Sequence, residues 1–130
     1  TNKLAQILEN GILIGDGAMG TMLYGHGVFL NACFEELNLN NPAMIKRVHD
    51  GYVGAGVDFI ETNTFGANEF KLGKFGLADK VEQINVEAVS IAKRSAWARP
   101  GVLVADQKQH EGTRGRRVRR RQRYRGGGDA

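Results

Sequence analysis

The sequence ILIGDGAMGT, residues 12–21, holds the first residues that could do chemistry. Its glycines at positions 15, 17 and 20 match the Gly-x-Gly-x-x-Gly spacing that binds a dinucleotide pyrophosphate. Such a site needs a helix that begins at the last glycine, and Gly25 and Gly27 interrupt that helix after one turn. The acidic residues at the expected spacing, Glu35 and Glu36, do not end a strand. A nucleotide-binding α/β domain is therefore kept as an alternative.

Asp16 suggests a different chemistry, because it follows a short apolar run over residues 12–14 that predicts a buried strand. Ligands of parallel α/β folds bind at the carboxyl ends of the strands. A carboxylate beside exposed amides at residues 17–20 can hold the ammonium and the carboxylate of an amino acid. A plain Asp-Gly turn without a ligand would have the same sequence, and the residues alone leave both possibilities open.

The second predicted strand, Val57 to about Thr62, also ends in polar residues. Glu61, Thr62 and Asn63 are followed by Thr64, so hydrogen-bonding groups accumulate at the same end of the sheet. These residues could form only a well-ordered loop. Two polar strand ends that face the same way instead favour a shared pocket.

Local signals define the elements that would position these residues. Asn41 and Pro42 are typical of a helix start, and Gly56 of a helix end. Asp79 and Glu82 have the spacing of a capping box. The predicted elements are helices over residues 1–10, 42–55 and from 79 to about 96, strands over 12–14, 57–62 and 102–105, and a loop over 20–34. Continuous apolar strands that alternate with helices predict an α/β fold with a parallel sheet.

Composition limits the function classes. The 130 residues form one domain at most, and no apolar run approaches the roughly 20 residues of a membrane helix. No secretory leader is visible, although the chain begins at Thr1 and not Met, which suggests a fragment or a processed chain. Cys33 is the single cysteine, so the sequence predicts no disulfide, no multi-cysteine metal site and a cytoplasmic protein.

Three segments carry a family resemblance: DGAMGTMLYGHG, CFEELNLNNPAMIKRVHDGYVGAGVDFIETNTFGAN and KLGKFGLADKVEQINVEAVSIAKRSA. In this order, over about residues 4–105, they resemble the N-terminal part of a homocysteine S-methyltransferase domain. The resemblance is greatest to bacterial bifunctional proteins that join this domain to a methylenetetrahydrofolate reductase. The cobalamin-dependent methionine synthases begin with a similar domain.

The resemblance implies a (β/α)₈ TIM barrel, which typically needs about 250 residues. Residues 1–105 would supply its first three strands and two helices, so the expected fold is an incomplete barrel. The parent protein would bind homocysteine at the carboxyl ends of the strands. The substrate-binding residues that the resemblance implies are Asp16, Gly17, Ala18, Glu61, Thr62 and Asn63.

The family transfers a methyl group to the sulfur of homocysteine and so makes methionine. By resemblance, three cysteines on later strands hold a zinc ion that favours the thiolate. The donor is methyltetrahydrofolate acting through cobalamin, or a sulfonium or ammonium compound. Cys33 belongs to the CFEELN motif and not to that metal site. We therefore expect no metal ligand and no catalytic residue in this chain, and an inactive fragment.

The last 25 residues, 106–130, have a different composition. Residues 1–96 carry 8 basic and 11 acidic side chains, whereas residues 97–130 carry 10 and 3. Eight arginines fall between residues 113 and 125, without the periodicity of a packed element. This pattern is typical of a G+C-rich gene translated out of frame, and we interpret it so. The alternative function is nonspecific binding of RNA or other polyanions by a disordered basic tail.

Overall fold

The structure is a computed structural model that describes residues 3–106 and 124–125. Residues 107–123 and 126–130, which hold most of the predicted basic tail, lie outside the described residues. Its strands are β1 (Phe59–Glu61), β2 (Leu103–Ala105) and β3 (Tyr124–Arg125). Its helices are α1 (Lys3–Asn10), α2 (Gly20–Gly25), α3 (Leu37–Asn40), α4 (Pro42–Ala55), α5 (Glu69–Gly73) and α6 (Val81–Ala96), with a 3₁₀ turn over Ala78–Lys80.

The sheet has the order β1-β2-β3. The first two strands are parallel, with Ile60 opposite Val104, and α5 and α6 connect them. This crossover confirms the predicted parallel α/β unit. The third strand is antiparallel to β2, with Tyr124 opposite Val104, in a region where the sequence predicted no regular element.

The strand predicted over residues 12–14 is wrong. A single parallel bridge joins Gly15 to Phe59 at this edge of the sheet. The side chains of Ile12 and Ile14 are 89% and 60% exposed. Because little apolar surface is buried there, a longer ladder gains little stability from packing. Asp16 nevertheless lies at the carboxyl end of β1, because the Gly15 bridge places it beside this strand.

Helix α4 forms as its end residues predicted. The Asn41 side chain accepts a hydrogen bond from the Met44 amide at 3.4 Å, and Pro42 occupies the first turn. Gly56 ends the helix with a φ of 100°, a conformation that favours glycine. The chain then enters β1 directly, which fixes the position of the polar residues that follow this strand.

The capping box predicted for the second long helix is wrong. Asp79 lies inside the 3₁₀ turn, and α6 begins at Val81 without a side-chain cap. Because Asp79 already has a helical backbone, its carboxylate is not at the position that caps the α-helix. The buried face of α6 consists of small and apolar side chains, among them Ile84, Ala88, Ile91 and Ser95.

The core lies between the sheet and the two long helices. Ile60 and Val104 of the sheet pack with Val53 of α4 and Ala92 of α6. His49 of α4 is also fully buried, and neither ring nitrogen has a hydrogen-bond partner within the described residues. No helix in the described part of the chain has the length and apolar character that a membrane crossing requires.

Candidate functional site

A cavity of about 400 Å³ lies at the carboxyl end of β1, and we call it the Asp16 pocket. All six residues that the sequence predicted for substrate binding line it. The described lining residues are Asp16, Gly17, Ala18, Met19, Gly20, Phe34, Glu35, Glu61, Thr62, Asn63, Thr64 and Phe65. The structure therefore brings the two polar strand ends together, although the first strand is reduced to one bridge.

Asp16 is fixed by the neighbouring strand. Its amide donates to the Phe59 carbonyl, and its Oδ2 accepts from the Glu61 amide, both at 3.0 Å. Burial raises the pKa of Asp16 from 3.8 to about 6. The hydrogen bond from the Glu61 amide opposes that increase, and the Glu61 charge adds to it. Asp16 is thus an anion near neutral pH that gains from a cationic partner.

Residues 16–18 form a short irregular turn in which Asp16 is half-buried and Gly17 and Ala18 are exposed, and Tyr52 of α4 contacts this turn. The Tyr52 hydroxyl donates to the Ala18 carbonyl at 2.7 Å. Burial and the negative charge of Asp16 raise the pKa of Tyr52. Within the described residues, no group accepts a hydrogen bond from the Gly17 or Ala18 amide. These two amides are therefore available to an anionic group beside the Asp16 carboxylate.

Thr62 and Thr64 are linked to the end of β2. The Thr62 hydroxyl donates to Asp106 Oδ1 at 2.7 Å and lies 2.9 Å from the Thr64 hydroxyl. Both threonines are buried, with 4% and 0% of their surface exposed. Their hydroxyls therefore connect two strand ends and stiffen the floor of the pocket.

Asn63 lies at the pocket, but its side chain is engaged within the protein. Its Nδ2 donates to the Phe34 carbonyl at 2.9 Å and to Asn38 Oδ1 at 3.0 Å. The Asn38 side-chain Nδ2 donates in return to the Asn63 backbone carbonyl at 2.9 Å. This buried pair holds α3 against the segment after β1, so the Asn63 side chain shapes the pocket rather than presenting its amide donors to a ligand.

Glu35 closes the opposite side of the pocket. Its Oε1 accepts from the Gly66 amide at 2.7 Å, and its Oε2 lies 3.7 Å from the Cys33 sulfur. Burial raises the pKa of the Cys33 thiol and so disfavours the thiolate that a metal binds. Among the described residues, no three His, Cys, Asp or Glu side chains are grouped to hold a metal ion.

The charges that line the pocket match an ammonium group. Asp16, Glu35 and Glu61 provide three carboxyl groups, and the described lining residues include no lysine or arginine. Sequence reasoning missed Glu35, Tyr52 and Asp106. Asp106 follows β2 as Asp16 follows its bridge, and that strand-end position is the signal that could have identified it.

Comparison with known proteins gives a consistent result. Residues 13–106 match the protein family described as homocysteine S-methyltransferase. The methionine synthases of Mycobacterium tuberculosis and Mycobacterium leprae are 36% and 37% identical to this chain over 99 residues. Each match covers 72% of this chain and 8% of the methionine synthase.

Two solved structures have a similar fold. The metallated and oxidized forms of the homocysteine methyltransferase MmuM from Escherichia coli have TM-scores of 0.70, at 25% and 28% sequence identity. Each match covers 81% of this chain and 40% of the MmuM chain. The predicted α/β class is confirmed, and the chain is similar to part of the homocysteine methyltransferase fold.

Proposed function

Because the chain belongs to the homocysteine S-methyltransferase family, we propose that the Asp16 pocket holds the amino-acid end of L-homocysteine. The observation that carries this proposal is the Asp16 carboxylate, which lies beside the amides of Gly17 and Ala18 in an acidic pocket. Asp16 would bind the ammonium group, and the two amides would bind the carboxylate. Similarity to methionine synthases and to a homocysteine methyltransferase supports the choice of amino acid.

In the complete domain, the homocysteine sulfur would attack the methyl group of a donor. The new sulfur–carbon bond forms as the bond between the methyl group and the donor breaks; the donor keeps the electron pair of that bond, the thiol proton is released to solvent, and methionine results. The residues of this chain contribute to that step by position, since anchoring the amino-acid end limits the directions in which the thiol can extend. Methylcobalamin charged from methyltetrahydrofolate, or a sulfonium or ammonium compound, would be the donor. A reductase domain fused to the parent protein is proposed from the resemblance to the bifunctional proteins alone.

The residues described here do not fit the zinc ion that the family resemblance implies. Cys33 is the single cysteine of the chain, it is buried, and no described residues form a metal-binding group. We therefore propose that these 130 residues bind homocysteine without methylating it.

Calorimetric titration of the 130-residue chain with L-homocysteine at pH 8 tests the proposal. We expect saturable binding that Asp16→Asn weakens by about 10- to 100-fold, because a hydrogen bond to a charged group contributes about 1.5–3 kcal/mol. Asp79→Asn is the matched control, since Asp79 is an exposed aspartate in the 3₁₀ turn. Equal affinities for the wild type and Asp16→Asn would refute the assignment of the ammonium site.

A further inference from the structure

We propose that Tyr52 is a positioning residue. Its hydroxyl holds the backbone of residues 16–18 and so fixes the orientation of the Asp16 carboxylate and of the neighbouring amides. The inference rests on the proposed function, since it assigns a support to the same amino-acid site. Tyr52 lies on α4, 34 residues after Ala18 in sequence, and its hydroxyl donates to the Ala18 carbonyl at 2.7 Å. It is thus a direct link between the central helix and the turn that carries the site.

Within the described residues, the other hydrogen bonds of this segment are made to β1. The Asp16 amide and carboxylate bond to the backbone of Phe59 and Glu61, both in β1. The Tyr52 hydroxyl acts from α4, two residues further along the turn. With Asp16 fixed by the strand and Ala18 fixed by the helix, the amides between them keep one orientation.

Gly17 has no side chain at the point where the hydroxyl approaches. A Cβ atom built on Gly17 would lie 3.0 Å from the Tyr52 hydroxyl oxygen and 3.4 Å from the nearest ring carbon. That distance is tighter than an ordinary contact, so any larger residue would push the turn and the hydroxyl apart. The glycine of the Asp-Gly pair therefore permits the close approach of Tyr52 to the turn.

The test compares Tyr52→Phe with Tyr24→Phe in the 130-residue chain. Tyr24→Phe is the matched control, because it also removes one tyrosine hydroxyl, from a side chain on α2 that is 57% exposed. The first readout is the pKa of the Asp16 carboxyl group, measured from the ¹³C NMR chemical shift of its carboxyl carbon as the pH changes. Loss of the hydroxyl loosens the turn and admits water, so we expect the Asp16 pKa to fall toward 3.8 in Tyr52→Phe and to stay unchanged in Tyr24→Phe.

The second readout is homocysteine affinity as a function of pH. We expect Tyr52→Phe to bind about three- to tenfold more weakly than the wild type at pH 8, with the midpoint of its pH profile moved downward. If the wild type binds no homocysteine, the proposed function fails, and the Asp16 pKa still decides the role of Tyr52. An unchanged Asp16 pKa in Tyr52→Phe would overturn the positioning role, whatever the affinity.

A second variant, Gly17→Ala, tests the same contact without changing Tyr52, and a double-mutant cycle then combines the two changes. Gly17→Ala should perturb the Asp16 pKa strongly in the wild-type background, where the added Cβ meets the hydroxyl oxygen. In the Tyr52→Phe background the hydroxyl is absent, so the same change should have a smaller effect. Equal effects of Gly17→Ala in both backgrounds would show that the hydroxyl does not set the turn.

Discussion

Replacing Asp16 by asparagine should weaken ligand binding and stabilise the fold at the same time. The pKa of Asp16 rises from 3.8 to about 6 in the folded protein, so the folded state binds a proton more tightly than the unfolded chain. The stability that this proton gives is fully present below about pH 3.8 and is lost as pH rises through about 6. Asparagine is neutral at every pH and does not lose it.

The magnitude follows from the size of that pKa change. It corresponds to about 3 kcal/mol at most, and partial exposure of Asp16 to solvent reduces the figure to about 1–2 kcal/mol. Asp16→Asn should therefore be more stable than the wild type by about 1–2 kcal/mol at pH 8, with the gain vanishing near pH 4. Asparagine can still accept the hydrogen bond from the Glu61 amide through its Oδ1.

Urea unfolding followed by circular dichroism at pH 4, 6 and 8 measures this difference. Asp79→Asn is the control for a general loss of negative charge, since Asp79 is exposed. A gain at pH 8 that is absent at pH 4, together with weaker homocysteine binding, is the expected pair of results. The reasoning would be refuted if Asp16→Asn destabilised the fold equally at pH 4 and pH 8.

Three further predictions address other parts of the fold. Homocysteine affinity of the wild type should fall as pH drops below about 6, because protonation of Asp16 removes the anion; calorimetry from pH 5 to 8 measures it, and a flat profile would contradict it. Burial lowers the pKa of His49 to about 4, so stability should fall between about pH 6.5 and 4, and urea midpoints of His49→Phe should lose that dependence. Gly66→Ala should cost about 1–3 kcal/mol, because its Cβ would lie 2.7 Å from Glu35 Oε1 and the carboxylate must move away from the Gly66 amide that donates to it. Gly51→Ala has open space in α4 and should stabilise the fold by about 0.5–1 kcal/mol, so similar urea midpoints for the two variants would contradict this prediction.

The sequence predicted best where a local signal decides the structure. Asn41 and Gly56 act within one turn of α4, and both behave as their types predict. The six predicted pocket residues also come together, because Asp16 and Thr62 follow chain segments that meet at one edge of the sheet. The family resemblance implied these six residues, and the polar residues after the two chain segments favoured a shared pocket.

Contacts between residues that are far apart in the chain could not be predicted from the sequence. Tyr52 resembles an ordinary core residue of an amphipathic helix, and its bond to a carbonyl 34 residues away has no local signature. The Asn38–Asn63 pair likewise joins two segments that are 25 residues apart. The prediction of a strand over residues 12–14 was wrong for a related reason. The apolar composition of this segment does not reveal whether another element covers it.

The central claim is that homocysteine binds through its amino-acid end at Asp16, and ¹H–¹⁵N NMR mapping of the binding site tests it most directly. Titration of the labelled 130-residue chain with L-homocysteine should shift the amide signals of residues 16–18 and Glu61 in a saturable manner. The same titration of Asp16→Asn should leave those signals nearly unchanged. Shifts of equal size in both proteins, or shifts confined to residues outside the Asp16 pocket, would contradict the account.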